Sequence, residues 1–196
     1  KVIGGPDLCG DGDRVDDEAK IRRDLRLLLQ VMQMSVRSAR EKNKVEIRPA
    51  IEWLKKAGSI HAVVEAQARL RPEAVAVVCD GERLTYGELN GRANQVAALL
   101  QSRGVGRESL VGVFMERSAR TVIAILGVLK AGGAYLPIDL VYPDDRVALM
   151  LEDSASVAVI TETEQVGRLV NYPGQVICLD AGLEAVAGQS AENPAG

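Results

Sequence analysis

Hydrophobic residues recur with helical spacing in the first part of the chain. Over residues 14–43 they repeat at steps of three and four, which places them on one face of a helix. These positions are Ile21, Leu25, Leu28, Met32, Val36 and Ala39. Acidic residues stand at the start of this stretch and basic residues at its end, which complements the helix dipole. We therefore predict a charged, mainly helical segment of unknown origin over residues 1–57.

From residue 58 the pattern changes to short β-rich runs that alternate with helices. The predicted strands cover residues 74–79, 83–86, 110–115, 134–138, 157–161 and 176–179. The predicted helices cover residues 86–103 and 118–131, and a third begins at Pro143. Strands separated by helices of this length are typical of βαβ crossovers. The sequence therefore predicts an α/β fold over residues 58–196, with a mostly parallel sheet and helices on both faces.

Composition and charge narrow the classes of function. The net charge is −3. The chain therefore lacks the excess of basic residues that binds the phosphate backbone of a nucleic acid, and we expect no nucleic-acid partner. The longest apolar stretch, 121–129, is shorter than the roughly 18–20 residues that span a bilayer, and we expect no membrane association. Three cysteines at positions 9, 79 and 178 stand far apart. They form no metal-binding spacing or disulfide framework, which favours a cytoplasmic protein.

The first motif marks the beginning of a helix. Thr85 and Glu88 have the spacing of a capping box, in which each side chain accepts a hydrogen bond from the other residue's backbone. Leu84 and Leu89 occupy the two positions of a hydrophobic staple. Tyr86 is the first helical residue. The motif is explained as a well-defined helix start, without a direct chemical role.

The second motif combines a helix end, a glycine turn and a strand. Its residues are Leu129, Lys130, Ala131, Gly132, Ala134, Tyr135, Pro137 and Asp139. Glycine permits the positive φ of a helix C-terminus. Lys130 lies in the last helical turn, where a cation interacts favourably with the helix dipole. A catalytic lysine would need a carboxylate or phosphate partner, and the sequence does not name one.

His61 is the only histidine, so any mechanism that uses a histidine base must use this residue. Its position near a helix start is typical of a cap or surface residue. No phosphate-binding loop of the form G-x-x-x-x-G-K-[ST] occurs. The sequence therefore assigns no catalytic, cofactor-binding or metal-binding residue to this chain.

The two motifs, in this order and spacing, resemble the beginning of the adenylation domains of nonribosomal peptide synthetases. These domains belong to the AMP-dependent synthetase/ligase superfamily, and the resemblance covers residues 59–156. It implies activation of an amino acid as aminoacyl-AMP and transfer to phosphopantetheine, in the biosynthesis of a secondary metabolite. ATP, Mg²⁺ and carrier-bound phosphopantetheine are then implied for the full-length parent. The implied partners are the remaining adenylation domain, the carrier domain and the condensation domain, with an amino acid as substrate.

The matched segments precede the ATP-binding loop and the catalytic lysine of that family. We therefore expect an N-terminal fragment that is inactive alone and binds no cofactor. Two alternatives stay open. One is a fragment of an acyl- or aryl-activating ligase of the same superfamily. The other is a non-catalytic interaction module that docks through the helix at residues 14–43.

Overall fold

The computed structural model describes residues 59–79, 81–180 and 186–194. The predicted helix at residues 14–43 lies outside these ranges. Within them the elements follow one another in the order α1 (Ile60–Leu70), β1 (Val75–Cys79), β2 (Glu82–Thr85), α2 (Tyr86–Ser102), β3 (Leu110–Phe114), α3 (Ala119–Lys130), β4 (Ala134–Pro137), α4 (Asp144–Asp153), β5 (Ala158–Thr161), a 3₁₀ helix (Thr163–Leu169) and β6 (Gln175–Cys178).

Four of the strands form a parallel sheet in the order β4-β3-β5-β6. Val111 of β3 is in register with Tyr135 of β4 on one side and with Ala158 of β5 on the other. The predicted α/β fold with a mostly parallel sheet is therefore confirmed. The first two strands are the exception, because β1 and β2 form a separate antiparallel pair with Val78 opposite Arg83.

Alternate residues of β3 face two different apolar clusters. Val111 and Val113 belong to the larger cluster, which they share with the buried apolar residues of α2 and α3. Phe114 belongs to the smaller cluster, with Val147 and Leu151 of α4. Successive side chains of a strand point to opposite faces of the sheet. Helices therefore cover both faces, as the sequence predicts.

Helix α3 is apolar around most of its circumference and is buried along nearly its whole length. It packs against α2 with unusually little space between the two. A Cβ atom added to Gly127 would lie 2.5 Å from Cγ1 of Val96 and 3.3 Å from the carbonyl oxygen of Ala93. Gly127 is therefore the residue that permits this close approach of the two helices.

Candidate functional site

The first motif forms the start of α2. The backbone N–H of Glu88 donates to Thr85 Oγ1 at 3.2 Å, and the backbone N–H of Thr85 donates to Glu88 Oε2 at 2.8 Å. The predicted capping box is therefore present. This backbone hydrogen bond lowers the pKa of Glu88 below its ordinary value. Leu84 and Leu89 are each 2% exposed and share one apolar cluster, which matches the predicted staple.

The second motif connects α3 to β4. Ala131 is the C-cap residue of α3, and its N–H donates to the carbonyl of Gly127 at 2.9 Å. Gly132 follows with φ of +89°, a conformation that favours glycine. The turn directs residues 134–137 into β4. Ala131, Leu129 and Tyr135 contact the same apolar cluster as the staple leucines of the first motif. The structure therefore brings much of the two motifs together around one core.

Lys130 ends α3 as predicted, but its side chain is fully buried. Its ammonium forms an ion pair with the carboxylate of Glu65 on α1. Nζ also lies 3.3 Å from Oδ1 of Asn193. Burial lowers the pKa of Lys130, while the Glu65 carboxylate favours the charged form. Lys130 therefore links three parts of the chain, which a helix-end cation on the surface would not do.

Sequence reasoning missed Glu65 as the partner of Lys130. The two residues are distant in the chain, so no local spacing connects them. One signal was present in the sequence: Lys130 is the only lysine after Lys56, and it terminates a helix that is otherwise largely apolar. A charge in such a position needs a buried partner, because an unpaired buried charge is costly.

His61 is half-buried in the first turn of α1, near this ion pair. Its Nε2 lies 3.1 Å from Oγ of Ser59. Ser59 is the N-cap of α1, and its hydroxyl accepts a hydrogen bond from the N–H of Ala62. Ser59 therefore caps the helix, and His61 follows it in the first turn. Burial lowers the pKa of His61. The Glu65 carboxylate opposes this shift, and the charge of Lys130 adds to it.

Charged side chains gather at the carboxyl edge of the sheet, which we define as the residues that follow β3, β4, β5 and β6. Nη2 of Arg117, after β3, lies 3.6 Å from Oδ2 of Asp139, after β4. Nη1 of Arg120 lies 3.1 Å from Oε1 of Glu162, after β5. Asp139 of the second motif therefore lies at this edge. The pair of Arg117 with Asp139 is exposed on both sides, and exposed ion pairs contribute about 0–1 kcal/mol each.

The carboxyl edge also contains a hydrogen-bonded loop after β5 and β6. Thr163 donates from its backbone N–H and from its hydroxyl to Oδ1 of Asp180, each at 3.0 Å. In the sheet, β4 lies on the outer side of β3, and β6 lies on the opposite outer side, next to β5. The connections from β3 to β4 and from β5 to β6 therefore run in opposite directions, and the strand order reverses between β3 and β5. Open parallel sheets bind ligands at the carboxyl edge near such a reversal. This edge is therefore the surface where the fold favours ligand binding.

A cleft of about 690 Å³ lies between α4 and the 3₁₀ helix. Arg168 on its wall is already engaged: Nε donates to Oδ1 of Asp144 at 2.6 Å, and the two terminal nitrogens donate to the carbonyls of Leu140 and Tyr142. Its guanidinium also lies 4.8 Å from the ring centroid of Phe114. Arg168 therefore joins the 3₁₀ helix to the start of α4, and its role in the cleft is structural.

Metal ligands do not cluster in the described ranges, where no group of three or more His, Cys, Asp and Glu side chains could hold a metal ion. Within the same residues, none of the helices combines the length and the apolar character that crossing a bilayer requires.

Comparison with known proteins agrees with the resemblance inferred from the motifs. The chain is 50% identical over 124 residues to tyrocidine synthase 1 of Brevibacillus parabrevis, a match that covers 62% of this chain and 11% of the relative. It is 46% identical over 120 residues to gramicidin S synthase 1 of Brevibacillus brevis, covering 60% of this chain and 11% of the relative. The chain thus spans about a tenth of the length of these relatives.

A solved structure also indicates similarity to the nonribosomal peptide synthetases. The crystal structure of the nonribosomal peptide synthetase FmoA3, bound to α-methyl-L-serine-AMP, superposes with a TM-score of 0.64 at 38% identity. The match covers 69% of this chain and 15% of that structure. The family model of AMP-binding enzymes matches residues 64–194, which is more than half of the sequence. The chain therefore belongs to the family of AMP-binding enzymes.

Proposed function

We propose that this chain is part of an amino-acid-activating adenylation domain of a nonribosomal peptide synthetase. The observation that carries the proposal is the family match over residues 64–194, which coincides with the described α/β unit. The structure that superposes on this unit at 38% identity is that of a nonribosomal peptide synthetase. The start of the family match supports a domain boundary close to residue 58, with residues 1–57 as a separate segment.

The parent reaction has two steps. A carboxylate oxygen of the amino acid attacks the α-phosphorus of ATP, and pyrophosphate leaves to give aminoacyl-AMP. The phosphopantetheine thiol of a carrier domain then attacks the acyl carbon, and AMP leaves. Mg²⁺ stabilises the charge that develops on the phosphates in the first step. ATP, Mg²⁺, the amino acid and the other synthetase domains are the proposed ligands and partners of the parent, in the cytoplasm.

The described unit supplies a scaffold for this chemistry. Its sheet presents a carboxyl edge whose side chains form ion pairs, such as Arg120 with Glu162. Lys130, the only lysine after residue 56, is buried and paired with Glu65, and the ATP-binding loop and catalytic lysine of the family follow the matched segments. We therefore expect no amino-acid-dependent ATP–pyrophosphate exchange from this chain alone, and any such exchange would contradict this expectation.

A domain chimera tests the proposal directly. The region of the tyrocidine synthase relative that corresponds to residues 64–194 is replaced by those residues, and ATP–pyrophosphate exchange is measured with the host's amino acid. We expect a rate within about tenfold of the host, a difference of about 1.4 kcal/mol in activation free energy. The control is the same host with the region deleted, which should show no exchange.

The chimera also separates the proposal from the alternatives. A chimera with a host-like melting temperature but no exchange above the deletion control would contradict the proposal. The same replacement in an acyl-activating host tests the first alternative, which predicts activity there and none in the peptide synthetase host. The interaction-module alternative predicts no activity in either host, and partner binding that is lost on deletion of residues 14–43.

A further inference from the structure

Residues 186–194, which we name the strap, lie against helix α2. The strap adds little to the apolar core, because Val186 is its one buried residue and the positions after it are exposed or half-buried. Polar contacts hold most of its length. Nε2 of Gln95 on α2 donates to the carbonyl of Ala187 at 3.2 Å.

Asn193 carries most of these contacts. Its Oδ1 accepts from the side-chain amides of Asn90 and Asn94, at 3.0 Å each, and from Nζ of Lys130 at 3.3 Å. Asn94 also donates to the carbonyl of Ala191 at 2.7 Å. The exposed Asn193 therefore accepts hydrogen bonds from two helices. One of the donors is the buried ammonium of Lys130, which is paired with Glu65.

The closed arrangement leaves acceptors unsatisfied beneath the strap. Oδ1 of Asn90 and Oδ1 of Asn94 are buried, and neither has a donor within the part of the chain that the structure describes. A buried acceptor without a donor costs free energy, which hydration recovers. Opening of the strap lets water reach both oxygens, and this gain offsets part of the loss of the contacts to Asn193.

We propose that the strap opens from α2 as a unit while the sheet stays folded, and that Asn193 is the residue through which Lys130 holds it closed. Val186 is the one buried apolar residue of the strap, so opening needs far less free energy than unfolding of the core. Opening separates Asn193 from the Lys130 ammonium, which then becomes accessible to water and to reagents. The inference goes beyond the proposed function and does not depend on it.

Amine acylation of the whole chain tests the proposal. The protein is treated with an N-hydroxysuccinimide ester without denaturant, and modification of Lys130 is followed by mass spectrometry. Because Lys130 is the only lysine after Lys56, its peptide reports this amine alone. We expect Asn193→Ala to accelerate modification about tenfold, equivalent to about 1.4 kcal/mol of lost closure. The control, Asn171→Ala at an exposed asparagine outside the strap, should leave the rate unchanged.

Hydrogen exchange completes the test. In Asn193→Ala, amide exchange should increase in the strap and stay at the wild-type rate in β3 and α3. Gln95→Ala removes a more peripheral contact and should accelerate amide exchange in the strap less than Asn193→Ala does. If Asn193→Ala does not fold, the Gln95→Ala variant decides the test. The proposal is overturned if strap and β3 exchange always rise together, or if Lys130 modification is equal in the Asn193 and Asn171 variants.

Discussion

Glu65 and Lys130 form an ion pair between α1 and the end of α3, with the lysine side chain fully buried and the glutamate side chain 18% exposed. The pair fixes α1 against the helix layer of the larger apolar cluster. Each charge is costly in this environment without the other, so the two residues stabilise the fold only together.

Lys130→Met should destabilise the protein strongly, because the partly buried Glu65 carboxylate loses its cation. We expect the free energy of unfolding to fall by about 3 kcal/mol, the lower end of the range for breaking a buried pair. Urea denaturation measures this loss. The control is Arg92→Met, which removes an exposed pair with Glu82 and should cost less than about 1 kcal/mol.

The double variant Lys130→Met with Glu65→Leu distinguishes loss of the pair from loss of packing. Replacing both charges by apolar side chains removes the unpaired carboxylate. It should therefore recover much of the stability that the single variant loses. Equal instability of the single and double variants would contradict the role given to the pair.

Thr85→Ala should lower the free energy of unfolding by about 1 kcal/mol, because the N-cap hydroxyl of α2 is lost. Thr85→Ser keeps the hydroxyl and should stay close to wild type. Chemical denaturation of the three proteins at pH 7 measures both effects. A Thr85→Ala protein as stable as Thr85→Ser would show that the capping box contributes nothing to stability.

Substitutions of two glycines by alanine should have opposite effects. At Gly127 the new methyl group would meet Val96 Cγ1 at 2.5 Å, and overpacking of this kind costs about 1–3 kcal/mol. At Gly91 the nearest atom is Cβ of Ala191 at 3.9 Å, so the helix propensity of alanine should stabilise by about 0.5–1 kcal/mol. Thermal melts of both variants should shift in opposite directions, and a higher melting temperature for Gly127→Ala would contradict the close packing of α2 and α3.

The stability should decrease as the pH falls below about 6.5, the ordinary pKa of histidine. Burial lowers the pKa of His61 in the folded state, so the unfolded chain binds the proton more readily. The loss begins near the unfolded pKa and ends below the folded pKa. Because His61 is the only histidine, His61→Gln should flatten this dependence between about pH 7.5 and 5.5. An unchanged pH dependence in the variant would exclude His61 as its source.

The sequence predicted the elements that have local signals. Helix α2 begins at the predicted capping box, and α3 ends at the predicted glycine turn. The 3₁₀ helix Thr163–Leu169 was not predicted, since its short length leaves no periodicity to detect. The pairing of β1 with β2 joins two runs that only the tight-turn sequence at residues 80–81 separates. The exclusion of this pair from the parallel sheet escaped prediction, because the membership of a sheet depends on contacts between distant segments.

The candidate site was predicted less completely than the fold. The positions of the two motifs at the ends of helices followed from their residue types. The partners of Lys130 did not, since Glu65 and Asn193 lie more than sixty positions away on either side. The ion pairs of the carboxyl edge likewise require the strand order, which periodicity along the chain does not contain.

The central position of β3 has a consequence for the order of folding. Leu110 pairs with Ala134 on one side, and Val111 pairs with the more distant Ala158 on the other. Pairing of nearer segments closes a shorter loop and loses less chain entropy. During synthesis β3 and β4 therefore have time to join before β5 emerges, and pulsed hydrogen exchange during refolding should show protection of β3 preceding protection of β6.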